Sequence, residues 1–509
     1  MTTERARWIA LYVLCAGMLM IVLDVTVVNV ALPYIERDLN FSPASLAWVV
    51  NAYLIAFGGL LLLAGRLGDL IGRMRVFEIG LGVFTVASAV CGLSQNQLTL
   101  EIARFVQGAG GALTSSVVLG MIVTTFTAPR ERAKAIGVFA FVASAGGAVG
   151  LLAGGVLTQA INWHWIFFIN IPIGIATAVL ARRYIPADKG TGFTGGVDIS
   201  GAVLVTSSLM LGVYTIVKPA AEDGWGSGPT LTLGAASVVL LAAFFVREAT
   251  AANPLMPLRI FQSRNVSGAN VMQVLGAAGM FGMFFLGALY VQGVLHYSPL
   301  KIGFAFLPVS VLMGLLSVRH SERLVMRFGG RALCVVGLTL VAVALALFAR
   351  TPVHGDYWAH IFPSFTIMGI GAGLAFPPLM GLAMSGATAE DAGLASGLIN
   401  TTGQVGGALG LAVLATVSAG RTSRLLAHGY SMPAALTGGY HLGFWIAAVL
   451  VLTGAIVALV VLTSATGSTP SSAELESELD ALSDPSGPAS LQSAGVALPR
   501  HRPTTHQDQ

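Results

Sequence analysis

Leu23-Asp24-Val25-Thr26-Val27-Val28-Asn29-Val30-Ala31-Leu32-Pro33 sets one carboxylate inside an otherwise apolar run from Ile9 to Leu32. That run is long enough to cross a bilayer core, which takes about 20 helical residues. An ionised aspartate near mid-membrane is destabilising by several kcal/mol unless it is paired or faces water, so it marks a functional site by default. Asp24 is therefore expected to take part in moving something across a membrane.

Composition extends this reading to the whole chain. Its 509 residues are 55% hydrophobic and 10% charged, with a mean hydropathy of +0.80, whereas soluble domains carry about 25% charged residues. The chain reads as a polytopic membrane protein. Its 62 glycines suit close helix packing in lipid. Cys15, Cys91 and Cys334 all lie in apolar runs without paired or metal-ligand spacing. The formal net charge of +4 comes from basic residues scattered between apolar runs, so no nucleic-acid surface follows. Arginine (23) far outnumbers lysine (4), which points to a GC-rich bacterial genome. There is no phosphate-binding loop of the G-x-x-x-x-G-K-[ST] type, and no Ser-His-Asp or metal-ligand set at usable spacing. No enzyme activity, cofactor or metal is expected.

Fourteen apolar runs have the length of membrane helices. They lie near 9–32, 46–65, 76–94, 98–126, 136–158, 165–183, 199–217, 230–247, 266–292, 301–318, 332–349, 358–382, 394–419 and 440–464. The first is too long for a cleavable signal peptide and lacks a small-residue cleavage site. An even number of spans puts both termini on one side. With that side cytoplasmic, the inner segments hold 20 Lys/Arg and the outer loops six, so the positive-inside rule gives N-in, C-in. Two places run against it: the acidic loop at Glu390 and Asp391, and the outer loop carrying Arg421 and Arg424.

The two ends of the chain echo each other. Leu67-x-Asp69-x-x-Gly72 follows span 2, and Leu324-x-Met326-x-x-Gly329 follows span 10 at the same offset. The organisation predicted is a cytoplasmic N-terminus (1–8), a six-helix bundle (9–183), two inserted helices (199–247), a second six-helix bundle (266–464) and a disordered tail (465–509). The fold class is all-α polytopic. Internal repeats of this kind are characteristic of secondary transporters, whose substrate site lies near the midplane between the repeats.

Four clusters are candidate functional residues. In Gly65-Arg66-Leu67-Gly68-Asp69-Leu70-Ile71-Gly72-Arg73-Met74-Arg75, glycines permit a tight turn. Asp69 can pair with Arg73 or accept hydrogen bonds from a helix N-terminus of the other half, latching the cytoplasmic side; the alternative is a basic loop that only fixes topology. In span 4, Glu101, Arg104, Gln107, Gly108 and Gly111 share one helix face. Asp24 lies eight residues from the outer end of span 1 and Arg104 six from that of span 4, both roughly 10 Å deep at 1.5 Å per residue. They are expected to reach each other, as a proton-sensitive pair or as a structural ion pair. In span 5, Gly146, Gly150, Gly154 and Gly155 form a close-packing face. In span 9, Asn270, Gln273, Met280 and Phe284 fall on one stripe, and Asn400 and Gln404 of span 13 make a second polar face. Together with Gln107 these are candidate cavity-lining residues, with plain core packing as the alternative. His164, in Trp163-His164-Trp165, is expected at a membrane interface.

These segments resemble signatures of the major facilitator superfamily, in particular its fourteen-spanner drug:proton antiporters of the EmrB/QacA type. The resemblance runs from about residue 8 to 464. Asp24 to Pro33 looks like the family's first-span motif, Gly65 to Arg73 like its loop 2-3 motif, and Arg104-x-x-Gln107-Gly108 like its span 4 motif. Trp165-Ile166-Phe167-Phe168-Ile169-Asn170-Ile171-Pro172-Ile173-Gly174 looks like its span 6 entrance. Two departures stand out: Gly150-Leu151 where the antiporter motif has Gly-Pro, and Trp163-His164-Trp165 where the family has Trp-Arg-Trp. The resemblance implies a major facilitator fold in the plasma membrane and export of amphipathic drugs, antibiotics or dyes in exchange for protons. It implies no cofactor, and membrane lipid, small molecules and protons as partners. Alternatives are export of one endogenous metabolite without tight coupling, and a non-transporting membrane sensor or scaffold. Substrate identity, oligomeric state and the role of the inserted helices are left open.

Overall fold

A computed structural model describes residues 4–42, 45–126, 128–186, 188, 190, 198–251, 254–255, 258–384 and 392–462. The acidic loop at Glu390 and Asp391 and the 465–509 tail lie outside them. The first part of the chain forms α1 (Glu4–Leu39), α2 (Trp48–Ile71), α3 (Arg73–Gly92), α4 (Gln97–Thr125) and α5 (Pro129–Ala160), then the short α6 (Trp165–Phe168) and α7 (Asn170–Tyr184). Between the halves come α8 (Ile199–Val217), the one-turn α9 (Pro219–Glu222) and α10 (Gly228–Thr250). The last part forms α11 (Arg264–Gly293), α12 (Pro299–Leu315), α13 (Ser321–Phe328), α14 (Gly330–Phe348), α15 (Phe362–Met384), α16 (Ala392–Ala427) and α17 (Met432–Val461).

Local chemistry sets many of these starts. Asn96, Asp198, Ser227, Ser263 and Ser298 each accept a backbone N–H from the first turn of the helix that follows. Proline stands in the first turn of α5, α10, α12 and α17, where its missing N–H leaves no bond unmade. Among the described residues, twelve helices are long and apolar enough to span a membrane. α12 is shorter, at 17 residues, and the apolar described stretch of α5 is Val149–Ala160.

The same pairings recur in both halves. α1 packs on α5 as α11 does on α16, α3 on α4 as α14 on α15, α2 on α4 as α12 on α15, and α3 on α7 as α14 on α17. The Leu-to-Gly echo is the same turn made twice. Gly72 (φ +102°, ψ 133°) and Gly329 (φ +81°, ψ 149°) each end one helix and begin the next in a conformation that only glycine adopts without strain.

The halves meet along α5 with α12 and along α2 with α16. α8 lies against both sides of the second seam. Its Thr206 packs on Gly59 of α2, and the Ile216 carbonyl accepts the Thr416 hydroxyl of α16 at 3.2 Å. One loop boundary needs correcting. Arg421 and Arg424, expected in a loop, are on α16, because that helix runs 36 residues, about 54 Å, and overshoots a bilayer core of about 30 Å.

Candidate functional site

Asp24 and Arg104 meet in the interior of the first half. Arg104 Nη1 donates to Asp24 Oδ2 at 2.5 Å, with both side chains at most 1% exposed. Gln107, one turn along α4, donates to Asp24 Oδ1 at 2.7 Å and to Ser88 Oγ of α3 at 2.6 Å, and its Oε1 accepts from Arg104 Nη1 at 2.7 Å. Arg104 Nε donates to the Val49 carbonyl of α2 at 2.9 Å, and the guanidinium carbon lies 4.5 Å from the Tyr53 ring centroid. Asn170, the first residue of α7, donates to Asp24 Oδ1 at 3.2 Å and to Ser88 Oγ at 3.3 Å.

The glycines of α4 make this approach feasible. A side chain at Gly108 would collide with the Tyr53 backbone, and one at Gly111 would sit 2.9 Å from the Tyr53 hydroxyl. Without them α2 could not come close enough for its Val49 carbonyl to accept from Arg104. Arginine suits the position because its planar fork serves several acceptors at once and is more weakly hydrated than an ammonium. The Coulomb attraction and the hydrogen bonds here work against the desolvation of two buried charges.

Spacing pairs Asp24 with Arg104, as found, but puts Gln107 at a cavity wall, whereas it is fully buried inside the cluster. Ser88, Tyr53 and Asn170 join the cluster without having been singled out by spacing. Asn170 was visible as a polar residue in the apolar Trp165–Gly174 segment. Ser88 gave no signal, since serine in a membrane helix ordinarily bonds its own backbone.

The glycine face of α5 divides between two partners. Gly146, Gly150 and Gly154 press on α1 at Val22, Thr26 and Val27. Gly155 instead faces α12 of the other half, where an added Cβ would lie 2.8 Å from the Pro299 carbonyl and 2.9 Å from Leu300 Cα. Leu151 is buried, and its carbonyl abuts Gly303, so α12 approaches the α5 backbone at this departure from the antiporter motif. Gly155→Val is expected to force this seam apart, overpacking it by about 1–3 kcal/mol. A reporter cysteine replacing the buried Leu151 should then label faster than in the parent, with little background because all three native cysteines are buried. Equal labelling rates would show that the seam is not closed by this contact.

The candidate lining residues are more packed than expected. Asn270 is buried and accepts the Thr402 hydroxyl at 2.9 Å, and Gln273 lies over Gly403 of α16. Met280 is 9% exposed, and Phe284 stacks on Phe306 of α12 at 5.5 Å. Gln404 faces Gly58 of α2 across the seam, its Oε1 buried without a hydrogen-bond partner among the described residues, while Asn400 is exposed. At the opposite end of α1 from the N-terminus, His164 stacks on Trp163 (3.8 Å), whose indole donates to Asp38 at 2.8 Å. Burial lowers the His164 pKa from its usual value, partly offset by the Asp38 charge.

At the loop 2-3 turn, Gly65 is half-buried in α2, and the Asp69 side chain lies outside the described residues. Asp188, from the segment after α7, is the carboxylate seen on a helix N-terminus here. It accepts the backbone N–H of Arg73 at 2.8 Å and of Met74 at 3.0 Å, while Arg73 Nη1 donates to the Gly120 carbonyl. Gly190 follows, so close that a Cβ would lie 2.7 Å from the Gly72 nitrogen. Partial burial works to raise the Asp188 pKa, but the two backbone donors and the Arg73 charge outweigh it and hold the carboxyl below its usual value. The contact is therefore complete at neutral pH and is lost only as pH falls through that lowered value. Asp188→Ala is expected to weaken the docking by about 1 kcal/mol, a capping contribution reduced by exposure. Labelling of a reporter cysteine at Ile71 should rise roughly fivefold, and an unchanged rate would count against this docking role.

Two repeated helical halves that meet along paired seams, the first enclosing a buried intramembrane ion pair, have the architecture of a helical membrane carrier. The chain belongs to the Major Facilitator Superfamily, whose family model matches residues 14–411. It is 39% identical over 469 residues to a puromycin resistance protein of Streptomyces alboniger, covering 91% of this chain and 93% of that one. It is 38% identical over 417 residues to a cephamycin export protein of Amycolatopsis lactamdurans, covering 81% and 85%. A crystal structure of a mutant of the nucleoside transporter NupG shares the fold, with a TM-score of 0.63 at 12% identity, covering 89% of this chain and all of that one.

Proposed function

We propose that this chain exports lipophilic or amphipathic antibiotics, drugs or dyes in exchange for protons, by rocking its two halves about the α5/α12 and α2/α16 seams. The observation that carries the reading is the fully buried Asp24–Arg104 pair, the costliest kind of residue to keep in a membrane without a role. Protonation of Asp24 frees Arg104 and alters the packing of α1, α2 and α4, and the proton-bound and substrate-bound states are those that permit rocking. One proton moving down roughly 150 mV supplies about 3.5 kcal/mol, enough for a gradient of a few hundred-fold. The curated relatives named above for antibiotic resistance and export support the substrate class. With α5 and α12 counted, the chain crosses the plasma membrane fourteen times with both termini cytoplasmic, in keeping with its Lys/Arg asymmetry. Gln273, Met280, Phe284 and Gln404 border the substrate path where the halves part, and Met and aromatic surface there reshapes around varied ligands.

Reconstituted vesicles loaded with a lipophilic dye test the reading. Uphill dye movement that requires a pH gradient, with matching proton movement, is the expected result. Dye movement indifferent to the gradient would favour uncoupled export of a single metabolite, and no movement of any compound in a broad panel would end the transport reading.

A further inference from the structure

We infer that Asn170 is the positioning residue that lets Asp24 hold its proton: its amide donates to the ionised carboxylate and, turned over about its terminal torsion, accepts from the protonated one. The inference rests on the proton-coupling reading above. A carboxylic acid buried at 1% exposure needs an acceptor for its new O–H, because an unpaired buried donor is costly. Few oxygens around Asp24 are free to serve. Arg104 offers donors only. The Val49 carbonyl already accepts Arg104 Nε, and Gln107 Oε1 already accepts Arg104 Nη1 at 2.7 Å and faces the Cys91 thiol at 3.6 Å. Ser88 Oγ receives N–H groups from both Gln107 and Asn170.

Asn170 Oδ1 differs from all of these. The residue is fully buried, its Nδ2 already touches Asp24 Oδ1 at 3.2 Å, and its Oδ1 has no hydrogen-bond partner among the described residues. The two ends of a side-chain amide are nearly the same size, so turning it over puts the oxygen where the nitrogen was. The proton that arrives from water forms the Asp24 O–H bond, and Asn170 Oδ1 becomes its acceptor. Ser88 keeps its contact, since a hydroxyl that accepted from Nδ2 can donate to Oδ1 in the turned arrangement, while Nδ2 gives up its two bonds and takes the place Oδ1 vacates. Gln107 cannot make the same move without giving up its bond from Arg104.

The other groups packed on the cluster do not take this part. The titratable or charged side chains facing Asp24 are Arg104 from α4, Cys91 from α3 and Tyr53 from α2. The Tyr53 hydroxyl has no hydrogen-bond partner among the described residues but lies against Gly111, two turns along α4 from Arg104. The Asn51 amide likewise has no hydrogen-bond partner among the described residues, Asp24 included.

The test compares full-length wild type with Asn170→Leu, which keeps the bulk and removes both polar atoms, and with Asn170→Ser, whose hydroxyl both donates and accepts. Asn170→Leu leaves the ionised Asp24 its bonds from Arg104 and Gln107 but strips the acid of its acceptor. The pH of half-maximal gradient-driven dye export should therefore move down by about one unit, a tenfold change, and Asn170→Ser should restore it. In acid-minus-neutral infrared difference spectra, the carboxylic C=O band that Asp24→Asn abolishes should move to higher frequency in Asn170→Leu. A profile that moves upward in Asn170→Leu would mean that Asn170 serves only as a donor to the carboxylate, and an unmoved profile that it serves neither form. Either overturns the inference. If the leucine variant does not fold, wild type decides: the Asn170 amide band, located by its loss in Asn170→Ser, should shift with the Asp24 band, and a constant amide band overturns the inference. A wild type lacking any Asp24 band would instead refute proton coupling at Asp24 itself, an outcome distinct from all of these.

Discussion

Asp24→Asn is expected to abolish uphill export while leaving a folded protein in the membrane. The asparagine keeps an oxygen for Arg104 and the outline of the side chain, and Arg104 retains the Val49 carbonyl, Gln107 Oε1 and the Tyr53 ring. What is lost is the carboxylate that the proposed mechanism assigns to proton coupling. Dye accumulation against a gradient should vanish, and size-exclusion behaviour in detergent should stay close to the parent, while thermal unfolding stays cooperative at a lowered temperature because Arg104 remains buried without a counter-charge. Exchange of dye down its own gradient should survive in part, because rocking no longer waits on a proton. Parental uphill transport by this variant would exclude Asp24 as the coupling residue.

Arg104→Ala should be more damaging to the fold than the loss of Asp24. Arg104 is among the largest fully buried side chains of the described residues, and it reaches from α4 to Asp24 of α1 and to Val49 and Tyr53 of α2. Removing it leaves the Asp24 carboxylate buried with two amide donors and no counter-charge. Breaking a buried pair in this way is destabilising by roughly 3–5 kcal/mol, to which the emptied volume adds. The variant should therefore unfold at markedly lower temperature and show no coupled export. The double variant Asp24→Asn/Arg104→Ala should recover part of that stability, since no unpaired charge remains, but not transport. Stability of the single variant equal to the parent would mean that the pair contributes nothing net to the fold.

Much of the site was legible from residue spacing. Asp24 and Arg104 stood out because a charge in an apolar run is rare, and their matched depth followed from helical rise. The glycine steps of α5 announced a close contact without saying with what. The latch is placed by sequence on Asp69, whose side chain lies outside the described residues, while Asp188, 115 residues after the Arg73 nitrogen it accepts from, binds the same turn. The candidate cavity wall is the part that spacing leaves most open. A Met/Phe stripe looks the same whether it faces a ligand or a neighbouring helix, and Phe284 in fact stacks on Phe306.

The sequence by itself determined that this is a helical membrane protein of repeated halves, where its helices run, and which charges stand inside it. Those properties are local: transfer of a segment into lipid and the rise of a helix depend on the residues of that segment alone. The tertiary structure decided which donors share the carboxylate. It brought Gln107 and Asn170, 83 and 146 residues away, to the same Asp24 oxygen, turned Gly155 from α1 to α12, and set α8 against both halves. No local pattern encodes such choices, because each depends on how whole helices pack, and in lipid that packing is settled by the shape and the hydrogen bonds of faces far apart in the chain.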